Sequence, residues 1–257
     1  MSENLLRALI QLFALASDLD DLTNSSREVV KKFLQTELSQ EYVKTYLKEY
    51  DDYVRLYHKD IEEHGAIKVD GKVEPRIYEQ TINEINQNLT SRQKFILLIF
   101  LFEYILADEN ISRHEIGFIR TVADKFNISE DEYRECLRFM QADEEDIPDS
   151  PNFLAISNEI KTLNDAKQII EPDLDGVILA LRINTLNLIF IKYHGSSDLT
   201  MNNQELIPQK GHAFGPGSSI RGNHINTIYY SDIISSFFGE EQEEGILFDA
   251  KSITYEF

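Results

Sequence analysis

The sequence predicts an α+β protein, with an N-terminal all-α helical bundle followed by a small β-rich, sandwich-like module. In the first half of the chain, apolar residues recur at helical spacing. From Ile169 onward the pattern changes to short β-like runs bounded by Asn, Asp, Gly and Ser. The length of 257 residues also exceeds the usual size of one domain, which favours two.

Composition narrows the functional classes. The formal net charge of -20 repels phosphate backbones and anionic lipids, which argues against general nucleic-acid binding. The single cysteine, Cys136, excludes an internal disulfide and fits a reducing cytoplasm. Its place in a helical pattern favours a core position over a nucleophile. The N-terminus has no signal-peptide pattern, so we expect a cytoplasmic protein.

Three helices are predicted in the first sixty residues. Apolar residues at helical spacing from Leu5 to Ala16 give the first helix. Ser25 and Glu28 have the spacing of a capping box at the start of the second. The third begins at Ser39 and ends near His64. Lys68–Val73 contains the turn signal Asp70-Gly71 and forms either a small hairpin or a loop.

The most apolar stretch of the chain is predicted to be the central helix of the bundle. A helix at Arg76–Asn86 precedes it, and Thr90 and Gln93 form a candidate cap. The apolar run Phe95–Leu106 is interrupted only by Glu103. It is too short for a bilayer, which needs about 20 apolar residues, so other helices must surround it.

Two further helices complete the bundle and reveal an internal repeat. They begin at Ser112, with Glu115, and at Ser129, with Glu132, both in capping-box spacing. Leu9–Leu34 aligns with Leu98–Ala123 without a gap. The repeated unit is helix, acidic loop, helix, capped turn and helix. Two such units are expected to pack about a pseudo-twofold axis, since one alone cannot bury its apolar face.

The second repeat carries a family resemblance. Ala107-Asp108-Glu109-Asn110-Ile111-Ser112, with Glu115 three residues later, follows a long apolar helix. This pattern resembles the tellurite-resistance TerB-like helical domain, although Glu109-Asn110 stands where that family mostly has Asp-Gly. The resemblance covers about the first 140 residues. It implies that residues 1–145 form a TerB-like domain.

The second half is predicted to contain a linker and the β module. Residues 146–168 form an acidic, proline-punctuated linker with one more helix at Phe153–Leu163. Within 169–240, Gly176–Arg182 and Leu186–Tyr193 are predicted strands, and Asn202-Asn203 is a hairpin turn. A short helix follows at Asp232–Phe238, and 241–257 contains another linker and then the alternating apolar run Ile246–Phe257, which resembles the first strands of an ABC-type ATPase domain.

The acidic loops are a candidate metal site. Oxygen ligands for Ca²⁺ or Mg²⁺ can come from the two matching loops, namely Asp108, Asn110, Glu115, Asp20 and Asp21. The favoured alternative is that Ser112 and Glu115 only cap a helix. These loops have too few carboxylates for an EF-hand. The six histidines show no paired zinc spacing, and no catalytic motif stands out.

The glycine-rich stretch Gly211–Gly222 is a candidate anion site. Ser218, Ser219 and Arg221 can hold an anion in such a loop. The stretch lacks the Gly-Lys-Ser/Thr ending of a phosphate-binding loop, and no obvious helix follows. A cluster of structural turns is therefore the favoured interpretation.

A second resemblance spans most of the chain. The helices, the segment GSSIRG…IYYSDI and the final residues Ile246–Phe257 together resemble the N-terminal region of large ABC transporter ATP-binding proteins. This implies a non-catalytic regulatory fragment with no cofactor of its own, ATP and Mg²⁺ belonging to a missing ATPase domain. Its partners would be a protein or the transporter's ATPase and membrane domains, at the inner face of the cytoplasmic membrane.

Two other hypotheses stay open. The first is a TerB-like stress-response protein that senses a metal or an anion through its acidic loops. The second is a hydrolase whose site lies in the β module.

Overall fold

The computed structural model describes residues 3–17, 24–64, 67–69, 72–74, 77–106 and 113–238. Within these residues, a helical bundle is followed by a β module, as the sequence predicts. The helices are α1 (Glu3–Ala16), α2 (Asn24–Glu37), α3 (Gln40–His64), α4 (Ile77–Asn88), α5 (Ser91–Leu106), α6 (Arg113–Lys125), α7 (Glu130–Gln141) and α8 (Tyr230–Phe238).

The predicted helix ends are confirmed where their side chains are described. Thr90 N donates to Gln93 Oε1 at 3.0 Å, and Gln93 N donates back to Thr90 Oγ1 at 3.4 Å. Ser129 and Glu132 form the same reciprocal pair before α7. Both pairs satisfy backbone N–H groups that the first turn of a helix leaves unpaired. Ser25 lies one residue inside α2 rather than before it.

The order of the predicted repeat is also confirmed. The series α1-α2-α3 recurs as α5-α6-α7, with α4 between the two units. Helix α1 packs on α3 and α5, and α5 packs on α6 and α7. Eight of the sixteen residues of α5 are buried, as expected for a helix that other helices surround. None of the helices in the described ranges is long and apolar enough to cross a membrane.

The strands form a hairpin and two larger sheets. The hairpin is formed by β1 (Ile67–Val69) and β2 (Lys72–Glu74). Of the two predicted alternatives for this segment, the hairpin is therefore correct. The other strands are β3 (Phe153–Ser157), β4 (Lys167–Ile170), β5 (Val177–Ile183), β6 (Leu188–His194), β7 (Leu199–Met201), β8 (Gln204–Glu205), β9 (His212–Phe214), β10 (Ser219–Gly222) and β11 (Ile228–Tyr229).

The two larger sheets pack face to face. The first has five strands in the order β4-β3-β5-β6-β9, and the second has four in the order β11-β10-β7-β8. Apolar residues of both sheets and of α8 share one core, which confirms the sandwich-like prediction. The predicted Asn-Asn hairpin joins β7 to β8, with φ of 52° at Asn202 and 67° at Asn203.

The prediction of a helix at Phe153–Leu163 is wrong. Phe153–Ser157 is strand β3, paired with β4 on one side and with β5 on the other. All five of its residues are buried. A strand covered on both faces shows a continuous apolar run, which periodicity alone does not distinguish from a buried helix.

The five-stranded sheet is covered by the bundle on one face and by the second sheet on the other. Along β6, Leu188 and Phe190 belong to the core shared with the helices. Ile189 and Ile191 belong to the core of the sandwich. This alternation follows from the two-residue period of a strand. The bundle and the sheet are therefore joined by a common hydrophobic core.

The acidic segment after α7 is folded against both units. The carboxylate of Asp149 accepts hydrogen bonds from the backbone N–H groups of Asn164, Asp165 and Ala166. These bonds hold the pKa of Asp149 well below its usual range. Asn152 donates to the Glu135 carboxylate on α7 at 2.8 Å. The segment thus pins the first strand of the sheet to the last helix of the bundle.

Candidate functional site

The residues of the predicted metal site lie mostly outside the described residues. This holds for Asp20, Asp21, Asp108 and Asn110. Glu115 is described, half-buried in the first turn of α6. Within the described part of the chain, no group of three or more His, Cys, Asp or Glu residues is arranged to hold a metal ion. Metal binding by the acidic loops stays a prediction.

The predicted anion site lies at a tight turn. Ser218 N donates to Gly215 O at 2.9 Å, and Gly217 has φ of 82°, as in a type II turn with Pro216 in its second position. Ser218 Oγ accepts from Asn202 Nδ2 at 3.1 Å. This serine therefore ties the turn to the β7–β8 hairpin.

The other two residues of that site lie on β10. Ser219 is buried, and its backbone N donates to Asn202 Oδ1 at 3.1 Å. Arg221 is exposed, and its backbone carbonyl accepts from Thr200 Oγ1. The structure thus assigns the backbone of this stretch to turn and strand contacts. Anion binding by Ser218, Ser219 and Arg221 stays a prediction.

A cavity lies instead between the bundle and the five-stranded sheet. Its volume is about 570 Å³, within the range of small-molecule sites. Helices α2, α5 and α7 form one side, and β6 with the loop before β9 forms the other. The lining residues are Val29, Lys32, Phe33, Glu103, Tyr104, Leu106, Met140, Gln141, Ala142, Asp143, Lys192, His194, Pro208, Gln209 and Lys210. We call this space the junction cavity.

Lys192 lies in the wall of the junction cavity because of its register in β6. It follows Leu188 and Phe190 on the face toward the bundle and is 2% exposed. Its Nζ donates to Met140 O and Ala142 O, both at 2.8 Å, at the C-terminal end of α7. A cation is favourable at a helix C-terminus. Burial nevertheless lowers the pKa of Lys192 to about 8, because the charged form loses hydration.

His194 is the next residue of the same strand face. Burial, together with the neighbouring Lys192 ammonium, lowers the pKa of His194 to about 4. The imidazole is therefore neutral at pH 7. Its Nε2 atom is buried and has no hydrogen-bond partner among the described residues. Such a buried polar atom is rare in folded proteins and calls for a partner.

The loop before β9 contacts the central helix. Gly211 N donates to Glu103 Oε1 at 2.6 Å. A Cβ on Gly211 would lie 2.7 Å from Ile99 Cγ2, so any larger residue forces the neighbouring side chains to shift. Glu103, which interrupts the apolar run of α5, thus binds the loop of the β module.

The same loop has an unusual backbone conformation. Gln209 has φ of 63°, a region that residues other than glycine rarely adopt. Its N donates to Tyr193 O at 2.7 Å, which holds the loop on β6. Backbone strain of this kind concentrates at functional sites.

Lys210 extends from this loop over two aromatic rings of the bundle. Its Nζ lies 5.5 Å from the ring centroid of Phe33 and 5.9 Å from that of Phe100. Both distances are within the range of cation–π attraction. This side chain thus joins α2 and α5 to the β module at the rim of the junction cavity.

The charge of the junction cavity differs from that of the chain. Lys32, Lys192 and Lys210 line it against Glu103 and Asp143, in a protein of net charge -20. Asp143 also accepts hydrogen bonds from the backbone N–H groups of Asp146 and Glu145. These bonds lower the pKa of Asp143. Asp143 therefore stays ionised, and the three lysines exceed the two acidic residues of the lining by one charge.

Comparison with known proteins places the bundle in a family. The family model of the tellurite resistance protein TerB matches residues 7–138. This chain belongs to the TerB family. The match covers α1 to most of α7, so the family's domain corresponds to the bundle. No curated protein and no solved structure matches this chain.

The junction cavity lies at the edge of the TerB domain and was not predicted from the sequence. Two signals were present. Glu103 interrupts the apolar run of α5, and Lys192 interrupts the apolar run of β6. A charged residue inside a buried run indicates a polar contact with another element. The sequence does not show that the two residues face the same space.

Proposed function

We propose that this TerB-family chain is a non-catalytic regulatory module that binds a small ligand in the junction cavity. The observation that carries the proposal is that the walls of the cavity come from both units. A ligand there contacts α2, α5 and α7 on one side and β6 with its neighbouring loop on the other. Binding therefore stabilises one arrangement of the bundle relative to the sheet.

The energetic consequence follows from linkage. A ligand that binds only the folded chain, at a hundred times its Kd, adds about 2.7 kcal/mol to the free energy of unfolding. Because the two units share one core, that stabilisation is transmitted to both. Ligand binding makes such a module more rigid, and a partner protein can respond to that change.

The location of the reactive side chains supports a binding role over catalysis. Cys136 is fully buried, and burial raises the pKa of its thiol, so it lacks the thiolate that nucleophilic attack requires. Lys192 is committed to the carbonyl groups at the end of α7. His194 is neutral and has no acidic hydrogen-bond partner among the described residues.

Blocking the cavity tests the proposal. A library of small metabolites is screened by thermal unfolding against the unmodified chain, and hits are measured by calorimetry. Val29→Trp places a large side chain in the cavity wall. Val54→Trp is the matched control, since Val54 is a half-buried valine of α3 that does not line the cavity.

We expect a hit to bind the unmodified chain and the control but not Val29→Trp. Hydrogen exchange should slow at β6 and at the loop before β9 when the ligand is bound. A screen without hits, or hits that bind Val29→Trp normally, would contradict the proposal. Multiple turnover of any hit would contradict the non-catalytic part.

The wider context that we propose is the regulatory region of an ABC transporter ATP-binding protein at the cytoplasmic face of the membrane. Its support is the sequence resemblance of the segment from Gly217 to Ile233 and of Ile246–Phe257. The test is the genomic reading frame, which should continue past Phe257 into a Gly-x-x-x-x-Gly-Lys-Ser/Thr motif. A stop codon at that point would contradict it.

A further inference from the structure

We infer that the junction cavity takes a small organic anion, with an acidic group and a compact apolar body. This inference rests on the proposed function, because it specifies the ligand of the same cavity. It differs from the predicted anion site on Ser218, Ser219 and Arg221, which belongs to the four-stranded sheet.

The charge of the ligand follows from the lysines. Lysines outnumber acidic residues in the lining, although acidic residues predominate in the chain. Lys32 is exposed on α2 and has no ion pair or hydrogen bond among the described residues. Its neighbour Lys31 instead pairs with Glu28 at 3.0 Å. Lys32 is thus a cation available to an incoming acid.

The apolar body follows from the remaining walls. Phe33, Tyr104, Leu106, Met140 and Pro208 line the same space. Methionine and aromatic side chains adapt to flat or irregular apolar groups. A bare inorganic anion would leave these walls in contact with water. A ring or a short chain that carries a carboxylate uses both kinds of wall.

His194 gives the ligand a further polar contact. His194 lines the cavity, and its Nε2, which is closed to solvent in this conformation, has no partner among the described residues. In the tautomer that carries its proton on Nε2, a neutral imidazole donates a hydrogen bond to a carboxylate. If the imidazole rotates toward an acid bound near Lys32, that acid satisfies this atom.

Matched acids and amides test the charge. Calorimetry with the full chain at pH 7 uses benzoate against benzamide, hexanoate against hexanamide, and inorganic phosphate. We expect one or both carboxylates to bind about tenfold more tightly than the neutral amides, as charge-assisted hydrogen bonds predict. Phosphate should bind more weakly than the carboxylates, because it has no apolar body.

Two variants test the place. Lys32→Gln should weaken carboxylate binding by about two- to fivefold, the range for a partly exposed charge. Lys31→Gln is the control on the same helix and should leave it unchanged. His194→Gln should weaken carboxylate binding. Thermal unfolding of each variant establishes that it is folded.

The outcomes separate this inference from the proposed function. Equal affinity for carboxylates and amides, or equal effects of Lys31→Gln and Lys32→Gln, would overturn the anion inference. The proposed function would survive if the ligand still failed to bind Val29→Trp. No binding by either carboxylate also overturns the inference, whereas a screen without hits of any charge overturns both.

Discussion

The two faces of the five-stranded sheet are built from the same strands but pack very differently. Toward the second sheet, Ile178, Ala180, Ile189 and Ile191 form a fully buried apolar core. Toward the bundle, Phe190 and its neighbours begin a similar core, but Lys192 and His194 end it at a cavity. One face packs against another sheet, and the other face packs against helices.

The difference shows where this fold leaves room for function. Two sheets follow each other's twist and interdigitate closely. Helices laid on a sheet cover it unevenly, and α7 ends above β6, where Lys192 binds its last carbonyl groups. Space and polar atoms therefore collect at that end of the junction.

The largest expected effect comes from the apolar part of the junction. Phe190→Ala should lower the free energy of unfolding by about 3–5 kcal/mol. Because the bundle and the sheet share this core, unfolding should stay a single transition for both units. The measurement is urea unfolding followed by far-ultraviolet circular dichroism and by hydrogen exchange. Ile189→Ala, on the opposite face of β6, is the control.

Unfolding of the bundle at an unchanged urea concentration in Phe190→Ala would contradict the predicted single transition. That result would mean that the two units fold independently. Ile189 belongs to the sandwich core, and Ile189→Ala should lower the same single transition. Loss of the sheet alone in this variant would also contradict a common core.

The buried lysine gives the next effect. Lys192→Met leaves two carbonyl oxygens of α7 without their donor and should cost roughly 1–3 kcal/mol at pH 7. Lys167→Met is the control, since Lys167 is exposed on the edge strand β4. Thermal and urea unfolding give the difference. A variant as stable as the control would show that the ammonium does not support the end of α7.

The same lysine predicts a pH dependence. Its pKa is about 8 when folded and 10.5 in its ordinary state, so the unfolded chain binds more protons between these values. Stability from this group therefore rises with pH from about 8 to 10.5 and is lost as the pH falls through 8. Across this pH window, the free energy of unfolding of the unmodified chain should increase relative to that of Lys192→Met. A constant difference would contradict the lowered pKa.

Two glycine-to-alanine substitutions distinguish tight packing at the junction from backbone strain elsewhere. Gly211→Ala should cost about 1–3 kcal/mol, because its Cβ would lie 2.7 Å from Ile99 Cγ2 in a packed core. Gly217→Ala has open space but φ of 82°, and should cost about 1 kcal/mol from strain. A smaller loss for Gly211→Ala than for Gly217→Ala in urea unfolding would argue against tight packing at the junction.

The smallest effect is a gain. Gln209→Gly relieves a backbone with φ of 63° and should stabilise the chain by up to about 1 kcal/mol. Asn203→Gly, with φ of 67° in the distant hairpin, should gain less because asparagine tolerates this region. Thermal unfolding measures both. A loss for Gln209→Gly would show that its side chain stabilises the junction.

Local patterns along the chain were enough to predict most of the helices and several strands. Helical spacing gave α1 to α7 in order, and reciprocal pairs such as Thr90 with Gln93 marked where helices begin. The Asn202-Asn203 hairpin and the strands β5 and β6 were also predictable, because turn chemistry and apolar runs act over a few residues. The family resemblance rested on one such local pattern and was confirmed.

Tertiary structure decided the rest. β3 was mistaken for a helix because burial on both faces removes the alternation that marks a strand. The junction cavity is lined by Glu103 of α5, Lys192 of β6 and Lys32 of α2, which lie on three different elements. Spacing along a chain shows which face of an element a residue occupies, but only packing shows what that face meets.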